Sequence, residues 1–112
     1  MTPTLEGIFA SRSAVQVLLF LEAYGSGHGL RIANTYEVAV SPIQRQLRRL
    51  ETSGILVSRL AGKTRLFEFN THNPTVRNLR AFLAAELELL PDETVKMYYR
   101  QRQRPRRTGK RL

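Results

Sequence analysis

The residues best equipped for chemistry in this chain sit in one short run, Ser41 to Glu51, which reads SPIQRQLRRLE. It holds three arginines and two glutamines against a single acid, Glu51. Such side chains hydrogen-bond to base edges and phosphates: arginine pairs bidentately with guanine, glutamine with adenine. Other constellations are poorer. Gly62-Lys63-Thr64 resembles the end of a phosphate-binding loop, but that motif needs a glycine five residues earlier, where Val57 stands. Gly25-Ser26-Gly27-His28-Gly29 lacks dinucleotide spacing and reads as a flexible connection. The two histidines, His28 and His72, fall in expected loops, and no carboxylates stand at ligand spacing beside them. Asp92 and Glu93 are neighbours at a helix start and cannot face each other as an acid–base pair. Ser11, Ser13 and Ser41 have no visible base partner. The expectation is a protein that is not an enzyme, with no cofactor and no metal.

The element that must position the arginines is a helix, Ser41 to Ser53. Ser41 reads as its N-cap, Pro42 as its first helical residue, and Gln44 as the partner in a Ser-x-x-Gln capping box. Gly54 marks the stop. At about 100° per residue, Leu47 falls roughly 40° and Leu50 roughly −20° from Ile43, a narrow apolar stripe. Ser41, Arg45, Arg48 and Thr52 fall at about 140–200°, directly opposite, with Gln44 and Arg49 on the flanks. Alone, this helix has two readings: a groove-reading face, or an ordinary solvated basic face.

Its neighbours separate the two. A broad apolar helix is predicted from Ser11 to Tyr24, with a face wide enough for burial on two sides. A short helix follows from Leu30 to Tyr36, with Leu30, Ala33 and Tyr36 or Glu37 inward, then a tight connection through Val38-Ala39-Val40. After Gly54 come strands Ile55 to Leu60 and Arg65 to Asn70, joined as a hairpin by Ala61-Gly62-Lys63-Thr64. Asn73-Pro74 caps a helix from Thr75 to Leu90, and Pro91-Asp92-Glu93 opens another to Gln103. Tyr98-Tyr99 is read as a packed or dimer-facing pair rather than a base-stacking platform, since such platforms sit on open sheets. The fold class expected is mostly α with a small antiparallel β-hairpin, in one domain of residues 1–99 with a basic C-terminal tail, 100–112.

Charge points the same way. The chain of 112 residues carries a net +9. Residues 31–80 hold 9 basic and 3 acidic groups, and the tail holds 7 basic groups and no acid, whereas residues 81–99 net −3. This segregation suggests a polyanionic partner. The tail reads either as a phosphate-binding arm or as a solvated end. There is no cysteine, which excludes a disulfide framework and fits a reducing interior. The longest apolar run, Ala14 to Leu21, is too short to span a bilayer and is broken by Gln16. The N-terminus lacks a basic region ahead of an apolar one, so no signal peptide and no membrane partner are expected.

The ordered combination resembles the winged helix-turn-helix superfamily, nearest to the ArsR-like transcriptional regulators. The residues that carry it are Ile32-Ala33, the run from Ser41 to Glu51, Gly54-Ile55-Leu56, and Gly62-Lys63-Thr64-Arg65-Leu66-Phe67. The resemblance spans about Ser11 to Leu90. It implies double-stranded DNA as partner and a homodimeric transcriptional regulator acting in the cytoplasm, at the nucleoid. Ser41, Pro42, Gln44 and Arg45 match positions that touch bases or nearby phosphates, and Arg48 and Arg49 would follow the backbone. Lys63, Thr64 and Arg65 match the wing, with Arg59 placed to reach the same DNA strand. Terminal helices would pair the subunits, using the surplus apolar residues Leu5, Ile8, Phe9, Leu87, Leu90, Met97 and Tyr98. Two departures stand out. The turn Glu37-Val38-Ala39 has no glycine, and the cysteine motif of the metal sensors is absent, which removes any inherited metal sensing. No small-molecule effector can be named. Two other functions use the same features: an RNA-binding or ribosome-associated protein, and a winged-helix adaptor docking an acidic protein.

Overall fold

The computed structural model describes residues 2–99. Its centre is α2, Arg12–Tyr24, in which every residue from Ala14 to Leu21 is buried. The expected two-sided burial arises because other elements surround this helix on all sides. Ser11 caps it, accepting a hydrogen bond from the Ala14 N–H at 3.1 Å. One element was not foreseen: α1, Pro3–Phe9, meets α2 at 102° through Ala10, which adopts a left-handed φ of 59°. This bend drives Leu5 into the core, where it is 1% exposed. Leu5 is therefore not surplus apolar surface.

The stretch after α2 departs from the expected flexible connection. Ser26–Gly27 forms a short strand, β1, and His28 caps α3, Gly29–Tyr36, by accepting from the Arg31 N–H through Nδ1. Gly27 is required there, since a Cβ would stand 2.5 Å from the Phe20 ring. Starting α3 at Gly29 places Gly29, Ile32, Ala33 and Tyr36 inward at i, i+3, i+4 and i+7. Leu30 lies about 100° off that stripe and is 56% exposed, against the inward position expected for it.

The following helix, α4, spans Val40–Thr52. Ile43, Leu47 and Leu50 are its buried residues, at 0 to 2% exposure, as the phase analysis requires. Its start differs. Ala39 is the N-cap position and no side chain caps it. Val40 packs against the core and is drawn in as the first helical residue, so Ser41 becomes the second helical residue, two positions in from the expected N-cap, and forms no capping box. The end is a Schellman motif: the Gly54 N–H donates to the Glu51 carbonyl at 3.0 Å and the Ile55 N–H to the Leu50 carbonyl at 2.9 Å. Gly54 takes the required positive φ of 83°.

The hairpin pairs β2, Leu56–Ala61, with β3, Thr64–Phe69. Ala61 faces Thr64, leaving the two-residue turn Gly62-Lys63, with Gly62 at φ 67° as a type II′ turn demands of its first central residue. Because β1 adds to the outer edge of β3, the sheet has three antiparallel strands in the order β1-β3-β2 rather than two. Asn73 caps α5, Pro74–Glu88, accepting from the Thr75 N–H at 3.0 Å. Arg80 on α5 pairs with Glu22 on α2 at 2.9 Å and lies over the Phe69 ring. The described residues end with α6, Asp92–Thr94, and a π-helical turn, Val95–Tyr99. Residues 100–103 of the helix expected to run to Gln103, and the tail 100–112, lie outside the described residues.

Candidate nucleic-acid interface

The helix-turn-helix is α3, the turn Glu37–Ala39, and α4. Glu37 supplies the reversal, with φ 57° and ψ 47° and its N–H directed to the Ala33 and Asn34 carbonyls. The absent glycine is thus replaced by a glutamate in the left-handed region, so the turn keeps its geometry under local strain. With the aliphatic stripe held inward, Ser41, Arg45, Arg48 and Arg49 are exposed. Arg45 and Arg48 have no acidic partner among the described residues. Arg49 donates through Nε to Gln46 Oε1 at 2.8 Å, which aligns it along the helix surface. Pro42 is half-buried at the third helical position.

Gln44 is placed differently from the arginines. Its amide occupies the space above Gly29, where a Cβ would meet it at 2.5 Å. The absence of a side chain at residue 29 is what lets α3 and α4 close around that amide.

The wing stands beside α4 because a three-residue relay holds it there. Ser58 on β2 donates its hydroxyl to Glu51 Oε2 on α4, and Arg65 on β3 donates Nη1 to Ser58 Oγ at 3.0 Å. The single acid of the basic helix is therefore a strut to the hairpin. Between helix and hairpin runs a groove of about 550 Å³, lined in part by Gln44, Arg48, Lys63, Thr64 and Arg65. The structure brings these five expected site residues together. Lys63 is exposed at the turn, and Thr64 is half-buried behind it. Ser41, Pro42, Arg45, Arg49 and Arg59 lie outside this groove. Arg59 is partly committed, since its Nε stands 3.8 Å from Glu68 Oε2 across the strands.

Sequence reasoning missed Arg31 and Ser58, the uncharged middle of the relay. Arg31, near the start of α3, lies over the Phe20 and Tyr24 rings at 5.2 and 5.0 Å, so its alkyl stem is fixed while the residue stays exposed. No spacing signal marks it, because the rings come from another helix. Glu51 was visible as a lone acid, but nothing local shows that Ser58 meets it. Among the described residues, no three His, Cys, Asp or Glu side chains come together to hold a metal ion. No single helix there is long and apolar enough to cross a membrane.

A three-helix core, a helix-turn-helix and a small antiparallel wing packed beside its second helix define the winged helix-turn-helix fold. The chain is similar in structure to the YusO protein from Bacillus subtilis, with a TM-score of 0.53, 22% sequence identity, and 82% of this chain aligned to 71% of that one. It also aligns with a mutant of Lactococcus lactis ZitR in apo form at a TM-score of 0.47 and 16% identity, over 83% of this chain and 79% of that one. No family model and no curated protein matches the chain.

Proposed function

We propose that this chain binds double-stranded DNA with α4 in the major groove and the wing on the adjacent minor groove or phosphates, and that it regulates transcription as a homodimer. One observation carries the reading. Arg45 and Arg48 project from a helix whose opposite stripe is fully buried, beside a lysine-tipped hairpin, with no acid of the described chain neutralising them. A helix of this width enters the major groove, and arginines on its outer face meet guanine edges and phosphates there. The dimer is supported by apolar side chains left uncovered on α1, the end of α5 and the last turn. Ile8, Leu89 and Met97 are 58%, 76% and 61% exposed. Two copies related by a two-fold axis would present two α4 helices to half-sites about one DNA turn apart.

The test is selection of bound duplexes from random-sequence fragments, followed by fluorescence anisotropy between 50 and 200 mM salt, with molecular mass taken by sedimentation. The expected result is enrichment of a two-half-site sequence and a steep fall of affinity with salt, about 0.9 in log–log slope for each phosphate contacted. Absence of duplex binding, or binding indifferent to salt, would sink the reading. Preference for structured RNA over duplex in competition would transfer it to RNA.

A further inference from the structure

We propose that α3 supplies a third DNA contact, in which Arg31 and His28 hold a backbone phosphate at the edge of the groove between α4 and the wing. The inference rests on the duplex-binding reading above and adds to it a helix which that reading leaves unused. Its basis is the way Arg31 is held. The guanidinium carbon stands 5.2 Å from the centre of the Phe20 ring and 5.0 Å from that of Tyr24, and the two rings pack on each other at 4.5 Å. Neither ring is loose. Phe20 is fully buried, and the Tyr24 hydroxyl donates to the Tyr98 carbonyl. An exposed arginine must ordinarily be ordered when it meets a ligand, at a cost in entropy. Here α2 has done that ordering in advance. The charge nevertheless stays available, since Arg31 is exposed and pairs with no acid among the described residues. Stacking occupies the face of a guanidinium and leaves its edge, where the N–H donors lie, to meet phosphate oxygens in pairs.

His28 adds a donor from the same turn. Its Nδ1 accepts from the Arg31 N–H at 3.3 Å, so the neutral ring carries its proton on Nε2. That bond ties the imidazole to the backbone of the very residue whose guanidinium it accompanies. The two side chains share a depression of about 310 Å³ with Leu30, Asn34 and Thr35, and no acid lines it. His28 and Leu30 also line the groove between α4 and the hairpin. The two hollows therefore meet at a common rim, and a sugar–phosphate strand leaving the groove over that rim passes onto Arg31. A contact of this kind fixes the register of the protein on the duplex and carries no sequence information of its own. A merely solvated arginine would need neither the two-ring seat nor a neighbouring hollow free of acids.

The experiment titrates the full chain, Arg31→Gln and His28→Ser against the selected duplex over the same salt range, with a melting curve for each. Serine can still cap α3 but offers no distant donor. Arg31→Gln is expected to bind about three- to ten-fold more weakly, with a salt slope shallower by about 1. His28→Ser is expected to lose about two- to ten-fold with its slope unchanged, because a neutral donor displaces no counterion. Base preference is expected to be the same in all three. Replacing the phosphates of the duplex one at a time by uncharged methylphosphonates then separates contact from packing. At one phosphate the parent should lose affinity and Arg31→Gln should lose nothing further. Parent-like affinity and slope for Arg31→Gln would overturn the proposal. So would a deficit of the same size at every substituted phosphate, which would mean that Arg31 only steadies α3 against α2, or an altered base preference, which would put it on a base edge. Parent-like binding by His28→Ser would remove the imidazole from the contact. If the parent binds no duplex, the duplex-binding reading fails and this contact with it; if the parent binds and Arg31→Gln matches it, the contact alone fails.

Discussion

The hydroxyl groups of Tyr36 and Tyr99 meet at 2.8 Å in the interior, sixty-three residues apart in sequence. Tyr36 donates to the Gln16 carbonyl, which leaves Tyr99 to donate to Tyr36. Burial raises both phenols well above the usual tyrosine value, and the neighbouring tyrosines add to the effect on Tyr36. An acid whose folded pKa exceeds its unfolded one contributes stability that is complete below the unfolded value and is lost as pH rises past it. The window here opens at the ordinary 10.0. Unfolding free energy measured in urea is expected to be flat from pH 7 to 9 and to fall above about 10. Tyrosinate absorbance should show part of the four-tyrosine signal appearing only with unfolding. Tyr36→Phe leaves the Tyr99 hydroxyl buried without its acceptor and is expected to cost about 1–3 kcal/mol. A variant as stable as the parent, with unchanged alkaline behaviour, would refute the network.

Two potential caps, Ser41 and Asn73, look alike in sequence, since each precedes a proline and a helix. Only Asn73 accepts a backbone N–H. Asn73→Ala is therefore expected to lower stability by about 1 kcal/mol, and Ser41→Ala by less than about 0.5 kcal/mol. Thermal denaturation of the two variants side by side reverses the ranking if Ser41 caps α4 after all. If Ser41 faces DNA as proposed, its alanine variant should weaken duplex binding while leaving the melting curve in place.

The contrast shows how far the sequence could be read. The phase of α4, its Gly54 stop and the Gly62-Lys63 hairpin are set by neighbouring residues, and they stand where local rules put them. The placement of Ser41 could not be read, because Val40 joins the helix only when its side chain finds the core. β1 could not be read either: a two-residue strand of Ser26 and Gly27 has no periodicity, and its hydrogen bonds depend on Phe67 and Glu68 of β3. The same holds for the relay at the site. Glu51, Ser58 and Arg65 are each seven residues from the next, yet only the twist of the hairpin against α4 joins them. Burial of Leu5 and the tyrosine cluster depend on how the chain ends fold back onto α2.

Glu37 holds a backbone conformation that glycine adopts freely and other residues do not. Glu37→Gly removes strain of roughly 1–2 kcal/mol, partly offset by the extra freedom of glycine in the unfolded chain. The net expectation is a gain of about 0.5–1 kcal/mol, or a few degrees in melting temperature. Glu37→Ala keeps the strain and should gain nothing. Equal stabilisation by both would show that the side chain, through its charge or bulk, sets the effect rather than φ.

The arginines and lysine of the interface separate by role. Arg45 projects from the outer face of α4 without an ion-pair partner among the described residues, whereas Lys63 caps the wing and Arg65 is bound into the relay through Ser58. In the duplex-binding reading, Arg45→Ala should relax preference at one base position at a cost of about 1–3 kcal/mol, and Lys63→Ala should weaken all sequences alike and reduce the salt slope by about 1. Glu51→Ala makes a sharper test, because it removes a negative charge from a surface that binds a polyanion. Simple electrostatics expects tighter binding. The relay expects the opposite, since Ser58, which holds Arg65, loses the acceptor that fixes the wing beside the groove, and a wing free to move must be ordered again on binding. Anisotropy titrations at two salt concentrations decide between them. Weaker binding with a slope no shallower than the parent's supports a strut, and tighter binding means that Glu51 was only a misplaced charge.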